Sequence, residues 1–180
     1  MQELPVLRYR WLASASMVEQ RLSTQLAECW RDVSNSGGAV GFPFLPVADA
    51  EVAEAVDRLV ASLEPPLYRL LVAMVDETLA GWLVLAGNST RLTAHWARVL
   101  RVQSALPFRG AGVGRGLMAE VARAARDDFG LEQLHLELRG GQGLEGFYES
   151  CGWREVGRWP AALRLHPDDD RDEVLMLLRL

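Results

Sequence analysis

The chain has 180 residues, of which 49% are hydrophobic and 24% are charged, and this composition is typical of one globular domain with a sizeable core. The length leaves no room for a second full domain, so we expect a single domain over residues 1–180. A net charge of −5 provides no overall attraction to nucleic acid or to an anionic membrane, and it weakly favours a cationic or neutral substrate.

The first half of the chain predicts one strand and two helices. A short strand is expected at residues 6–10, and an amphipathic helix follows it and ends at Gly37 and Gly38. Glycines and prolines in residues 37–46 predict a loop near the substrate. A second helix is predicted from Asp49, as its N-cap, to a stop before Pro65.

Three strands are predicted next, at residues 68–75, 79–86 and 93–104, and the short connections between them favour an antiparallel meander. A Gly-rich turn then leads into an amphipathic helix that ends at Gly130. Leu134, Leu136 and Leu138 alternate with polar residues after that helix, which predicts a βαβ unit with parallel neighbouring strands.

The last part predicts a short helix at residues 146–151 and two closing strands at 153–159 and 173–180. The acidic run 168–173 between them is interpreted as a solvated loop. The fold class is therefore α/β (α+β), with a mixed, mostly antiparallel sheet of about six or seven strands and helices on both faces.

The cysteines and the apolar segments indicate where the protein resides. Cys29 and Cys151 lie far apart without metal-ligand spacing, so both are expected to be reduced thiols, as in the cytoplasm. The first five residues do not begin a secretory signal, and no apolar run approaches the roughly 20 residues of a membrane span. We therefore expect a cytoplasmic protein without metal, membrane or nucleic-acid partners.

The Gly-rich turn, residues 109–116, is the most informative segment. It reads Arg-Gly-Ala-Gly-Val-Gly-Arg-Gly and lies between a predicted strand and a predicted helix. A helix N-terminus carries unpaired N–H donors and a partial positive charge, and glycines let an anion approach the backbone. Arg109 and Arg115 add two full charges, so the turn predicts a phosphate site.

Two common phosphate-binding motifs fit this turn poorly. The Gly-Lys-Ser/Thr of a mononucleotide loop is absent, because Arg115 and Gly116 follow Gly114. The spacing of the glycines differs by one from the dinucleotide fingerprint, although Glu132 lies about 20 residues after Gly112, as a ribose-binding acid would. Dinucleotide binding therefore stays open as an alternative.

At these residues the sequence resembles the GNAT superfamily of N-acetyltransferases, whose signature [RQ]-x-x-G-x-[GA] is matched by Arg109, Gly112 and Gly114. Residues 146–153, Gly-Phe-Tyr-Glu-Ser-Cys-Gly-Trp, look like the second motif of that family. The resemblance spans about residues 68–180. Residues 37–42, Gly-Gly-Ala-Val-Gly-Phe, are similar to a loop of the tabtoxin-resistance type of acetyltransferase.

The resemblance implies that acetyl-CoA is the co-substrate, with its pyrophosphate on the Gly-rich turn and its pantetheine along the preceding strand. It also implies a core for CoA at residues 67–180 and a helical half for the acceptor at 1–66. Homodimers through edge strands are frequent in such domains. The implied cofactor-binding residues are Val102, Gln103, Ser104, Arg109, Gly110, Ala111, Gly112, Val113, Gly114, Arg115 and Gly116.

Acetyl transfer to an amine requires a proton acceptor, because an alkylammonium of pKa near 10 is neutral in only about one molecule per thousand at pH 7. Glu137 is the first candidate and His95 the second, since residues 95–98 contain no carboxylate. The family motif implies that Tyr148 protonates the departing thiolate. A backbone N–H near Gln103 is the implied donor to the oxyanion.

The expected function is direct transfer of an acetyl group, in a ternary complex, to a primary amine of a small molecule. A non-catalytic acyl-CoA-binding regulatory module and a different acyl donor stay open as alternatives. Fold analogy does not choose among an antibiotic, a small amine, an amino acid and a protein N-terminus as acceptor.

Overall fold

A computed structural model describes residues 6–38, 41–42 and 44–180. They form a seven-stranded sheet in the order β1-β2-β3-β4-β5-β7-β6, in which only the β4–β5 pair is parallel. The strands are β1 (Arg8–Leu12), β2 (Tyr68–Val75), β3 (Thr78–Ala86), β4 (Trp96–Ser104), β5 (Gln133–Arg139), β6 (Arg154–His166) and β7 (Asp169–Arg179). The helices are α1 (Gln20–Asn35), α2 (Asp49–Ala61), α3 (Val113–Asp127) and α4 (Leu144–Ser150). The predicted fold class is confirmed.

The sheet separates two apolar cores. Helices α1 and α2 pack on one face, and α3 packs on the other. Neighbouring residues of β2 point to opposite faces and are both fully buried, as Leu70 and Leu71 show at 0% exposure each. A central strand that is covered on both faces needs a continuous apolar run, which is the pattern of β2 and β3.

Some predicted boundaries differ from the structure. Strand β1 begins at Arg8, and β4 begins at Trp96 because the preceding residues form turns. Ala48 is the N-cap of α2, whereas Asp49 is its first helical residue and accepts a hydrogen bond from Arg31 Nη1 at 3.0 Å. An acid in the first turn still interacts favourably with the helix dipole.

The prediction of a solvated acidic loop at residues 168–173 is wrong. Residues 169–173 belong to β7, which pairs with an extended β6. Arginines of β6 neutralise these acids: Arg164 Nε lies 2.7 Å from Asp170 Oδ1, and Arg158 Nη1 lies 3.4 Å from Asp172 Oδ2. Cross-strand pairs of opposite charge support the hairpin, and exposure to solvent weakens each of them.

Some predictions fall outside the described residues. These are the interpretation of the first five residues and the parts of the Gly- and Pro-rich loop at Ala39, Val40 and Pro43. The tabtoxin-type segment at residues 37–42 is therefore described only at Gly37, Gly38, Gly41 and Phe42. None of the helices in the described part of the chain is long and apolar enough to span a membrane.

The contact between α3 and β1 yields a stability prediction. A Cβ built on Gly116 would lie 2.0 Å from Tyr9 Oη and 3.3 Å from Tyr9 Cζ. We expect Gly116→Ala to lower the free energy of unfolding by about 1–3 kcal/mol, because overpacking a tight contact strains it. In a Tyr9→Phe variant, Gly116→Ala should lower the free energy of unfolding much less. Urea titration of the four proteins tests this, and equal losses in both backgrounds would contradict it.

Candidate functional site

The site lies where the two parallel strands diverge. Strands β4 and β5 pair only at Trp96–Arg98 with Gln133–His135, and beyond these residues they separate. A cavity of about 810 Å³ opens between them, which we call the central cavity. It is lined by β4, β5, α4, the end of α1 and the start of α3.

A bulge in β4 shapes one wall of this cavity. Gln103 pairs with Trp82 and Leu100 pairs with Val84, so two residues of β4, Arg101 and Val102, lie opposite one residue of β3. Arg101 has φ of 56°, a left-handed conformation that is uncommon for a residue with a side chain. Such a bulge re-aims side chains and is frequent beside functional sites.

The Gly-rich turn presents free donors to the cavity. Within the part of the chain that the structure describes, no group accepts a hydrogen bond from the N–H of Val113, Gly114 or Arg115. Gly110 and Gly112 have φ of 78° and 82°, and a Cβ at either would meet nothing within 4 Å. The start of α3 is therefore open to an anion that the helix dipole attracts.

Two arginines flank these donors. Arg109 Nη2 donates to Ser36 Oγ at 3.0 Å, and Arg115 Nη1 donates to the carbonyl oxygen of Ser150 at 3.3 Å. Both are exposed, and neither pairs with a carboxylate of any described residue. Their positive charges therefore remain available to a ligand with several negative charges.

Most of the predicted cofactor-binding residues line the central cavity; these are Val102, Gln103, Ser104, Arg109, Gly110, Gly112, Val113, Gly114 and Arg115. The structure places Ala111 and Gly116 elsewhere. The N–H of Ala111 donates to the carbonyl oxygen of Phe108 at 3.2 Å, and that of Gly116 donates to Gly112 at 2.9 Å. Both donors are thus used within the protein, and the Cα of Gly116 faces Tyr9.

Tyr148 lies in α4 and lines the same cavity. It is 8% exposed, and its ring packs edge-on against Phe147 and Trp153 at centroid distances of 5.1 and 6.2 Å. Burial raises the pKa of Tyr148 to about 12. The phenol is consequently protonated at neutral pH and can donate a hydrogen bond.

The structure brings Glu137 to the cavity and leaves His95 outside it. The exposed Glu137 lies on β5 and lines the cavity, whereas His95 precedes β4 at the end remote from the Gly-rich turn. Glu173 of β7 is a neighbouring carboxyl whose pKa is raised by burial and then by the charge of Glu137. Sequence reasoning missed Glu173, because it lay at the edge of a run interpreted as loop.

The sequence predicted Gln103 as a cofactor-binding residue but not the state of its side chain, and it missed Arg101 and Arg139 of the cavity. The side chain of Gln103 is 2% exposed, and neither amide atom has a hydrogen-bond partner among the described residues. A buried amide without partners costs free energy, which a ligand in the cavity would recover. Arg101 and Arg139 also line the cavity, and burial lowers the pKa of both. The only signal for Arg101 in the sequence was that a charged residue interrupts the apolar pattern of β4.

This arrangement suits group transfer between two bound molecules. The cavity brings amide donors and positive charge together with a protonated phenol and a carboxylate. The amide donors and positive charge fit a phosphate-bearing donor molecule, and the phenol and carboxylate fit a nucleophile that must lose a proton.

Comparisons with known proteins support this interpretation. A protein from Kribbella flavida described as a GCN5-related N-acetyltransferase is 21% identical, with 97% of this chain and 98% of that chain covered at a TM-score of 0.73. A ribosomal-protein-alanine N-acetyltransferase from Brucella melitensis is 18% identical, with coverage of 97% and 99% and a TM-score of 0.71. A Salmonella typhimurium protein solved with its cofactor acetyl-CoA is 16% identical, with coverage of 97% and 94% and a TM-score of 0.69.

At these identities the likeness shows the fold alone, and none of the curated proteins matches the sequence. The family is shown by a sequence model instead, the acetyltransferase (GNAT) family model, which matches residues 29–153. That match spans more than half of the chain and contains both the Gly-rich turn and Tyr148. The chain therefore belongs to the GNAT family of acetyltransferases.

Proposed function

We propose that this protein is an acetyl-CoA-dependent N-acetyltransferase that transfers the acetyl group directly to a primary amine of a small molecule. The observation that carries the proposal is that the free N–H groups at the start of α3 and the phenol of Tyr148 line one cavity. Family membership and the neighbour that contains acetyl-CoA support the choice of donor.

The residues present fit the charge and shape of CoA. The N–H groups of Val113, Gly114 and Arg115 would hold the pyrophosphate, with Arg109 and the side chain of Arg115 as counter-charges. Residues 102–104 would hold the pantetheine, because β4 has no strand neighbour on its β5 side in this described segment. These assignments use donors that the fold itself leaves without partners.

The transfer forms one bond and breaks another. The ammonium group first loses one proton and becomes a nucleophilic amine, whose nitrogen bonds to the acetyl carbon while the bond from that carbon to sulfur breaks. The nitrogen loses a second proton as it becomes the amide nitrogen, and the departing thiolate takes up one proton from water. Glu137 would accept the first proton, directly or through water, and Tyr148 would donate a hydrogen bond to the sulfur as its negative charge grows. A backbone N–H near Gln103 would donate to the oxyanion.

Isothermal titration with acetyl-CoA and with NAD, followed by a thiol-release assay over a panel of primary amines, tests the proposal. We expect micromolar binding of acetyl-CoA, no binding of NAD, and release of CoA that depends on an amine. Mass spectrometry should then find the acetyl group on the nitrogen of that amine.

Glu137→Gln serves as the companion variant in this assay. It should bind acetyl-CoA as the wild type does but transfer more slowly, with the largest deficit at the lower pH values, where most of the amine is protonated. Binding of acetyl-CoA without transfer to any amine would instead favour a regulatory acyl-CoA-binding module. Binding of NAD alone would overturn the proposal.

A further inference from the structure

Arg101 is a solvent-accessible cation that forms no ion pair with an acid among the described residues. Its guanidinium carbon lies 4.6 Å from the centroid of the Trp30 ring, and surrounding protein lowers its pKa through desolvation. No carboxylate among the described residues forms an ion pair with it. The guanidinium is therefore accessible to a ligand and available to pair with an anion that the ligand carries.

The position of Arg101 also points to a ligand. It lines the central cavity and a second cavity of about 350 Å³, which we call the aromatic cavity. Trp30, Phe42 and Tyr68 contribute aromatic walls to this second cavity, and Val84 and Leu100 contribute aliphatic ones. Arg58, which pairs with Glu54, and Ser62 also line this cavity. Arg101 borders both the aromatic cavity and the central cavity, which contains Tyr148.

The stacking on Trp30 fixes how Arg101 can bind. When a guanidinium stacks on an aromatic ring, one face of the guanidinium covers the ring. The N–H donors lie in the plane of the guanidinium and remain available at its edge. The Gly41 backbone closes one side, because a Cβ on Gly41 would lie 2.2 Å from Arg101 Nη1. The φ of 56° at Arg101 and the bulge in β4 hold this orientation. Such a preorganised fork matches a carboxylate in two parallel hydrogen bonds.

Arg101 and the phosphate site line the same central cavity, but Arg101 also contacts the core under α1 and α2. Its neighbours Trp30, Leu100 and Tyr68 pack in the core under α1 and α2, whereas Val113 and Tyr148 pack in the core under α3. The phosphate site has its own cations, Arg109 and Arg115, at the start of α3. Arg101 also lines the aromatic cavity, which no residue of the Gly-rich turn lines, so its position suits the second substrate better than the phosphates of the first.

We propose that the acceptor is an amine that also carries a carboxylate and an apolar side chain, as an aromatic amino acid does. The carboxylate would pair with Arg101, the side chain would lie in the aromatic cavity, and the amine would reach the central cavity. This inference rests on the proposed function for the transfer step. An aromatic amino acid is a zwitterion without net charge near pH 7, so it agrees with the weak preference for cationic or neutral substrates that the net charge of −5 suggested.

A binding experiment tests the inference without requiring transfer. The probes are 3-phenylpropionate and its neutral amide, titrated calorimetrically into the CoA-saturated wild-type protein. We expect the acid to bind at least about tenfold more tightly than the amide, as for a charge-assisted pair. Equal affinities, or no binding of the acid at about 10 mM, would overturn the inference.

Arg101→Gln should remove the preference for the acid, and Arg101→Lys should retain part of it. Arg69→Gln is the matched control, because Arg69 also stacks on an aromatic ring, Phe129 at 4.3 Å, and burial also lowers its pKa, but it lines neither cavity. If Arg101→Gln still binds the acid more tightly than the amide, the inference is overturned. The wild-type ratio of acid to amide affinity decides the question even if that variant does not fold.

A transfer experiment separates this inference from the proposed function. With acetyl-CoA, L-phenylalanine should show a KM at least about tenfold below that of L-phenylalaninamide, and Arg101→Gln should abolish that difference while the Kd for acetyl-CoA stays unchanged. Transfer to the amide with an equal KM would overturn only the inference. Binding of the acid together with no transfer to any amine would overturn only the proposed function.

Discussion

Gly112→Glu should weaken acetyl-CoA binding by at least about 100-fold, which corresponds to about 2.7 kcal/mol. Gly112 is the N-cap of α3, and a Cβ at this position points into open space at the anion site. A carboxylate there would repel the pyrophosphate and would occupy the route to the free N–H groups. Calorimetric titration of the variant with acetyl-CoA measures the effect.

Gly112→Glu also strains the backbone, so a control variant must separate this strain from the loss of the anion site. Gly112 has φ of 82°, where a residue with a side chain costs roughly 1–2 kcal/mol. Gly130 follows the other end of the same helix with φ of 65°, also has nothing within 4 Å of a built Cβ, and does not line the cavity. Gly130→Glu should therefore lose similar stability and bind acetyl-CoA normally. Weak binding in both variants would mean that strain, and not the anion site, is responsible.

The elements that could be predicted from the sequence are those with local signals. Strand β2 at Tyr68–Val75 carries a long apolar run, and α3 carries a helical apolar stripe that begins within the Gly-rich turn. The parallel β4–β5 pair follows from the handedness and length of a strand–helix–strand unit. The apolar patterns of single strands and helices are each contained within about 15 residues of chain, and the parallel pair follows once these elements are known in order.

The features that the sequence did not predict depend on contacts between distant segments. The environment of Arg101 requires a bulge against β3 and the Trp30 ring of α1, neither of which is visible in the neighbours of Arg101 along the chain. Likewise, Asp170 and Asp172 read as loop residues until Arg164 and Arg158 of the partner strand are known. Charge that is neutralised across a sheet looks the same, in sequence, as charge that is solvated.

His95 illustrates the same limit within the candidate site. Its residue type suits a proton acceptor, but its distance from the site depends on where β4 begins. Because β4 begins at Trp96, His95 lies at the end of the strand that is far from Ser104 and the Gly-rich turn. Glu137 lines the cavity because β5 runs parallel to β4 and carries it to the diverging ends of the two strands.

Tyr148→Phe should lower kcat by about 100-fold or more and leave the Kd for acetyl-CoA within about threefold, as the loss of one donor to a developing charge does. The ring is held by Phe147 and Trp153 and is almost buried, so removal of the hydroxyl keeps the packing. Steady-state kinetics and calorimetry on the same preparations measure the two effects. A kcat within threefold of the wild type would contradict the role of Tyr148.

The pH dependence distinguishes a hydrogen-bond donor from a proton donor at this position. Burial raises the pKa of Tyr148 to about 12, whereas an ordinary thiol titrates near about 8.5, so full proton transfer to the thiolate would cost about 5 kcal/mol. Donation of a hydrogen bond carries no such cost, and the leaving thiolate then takes its proton from water. Because the raised pKa keeps the phenol protonated at all lower pH values, the wild-type kcat should show no loss from Tyr148 below about pH 10. A decline near pH 9 that disappears in Tyr148→Phe would show instead that the phenol ionises during turnover.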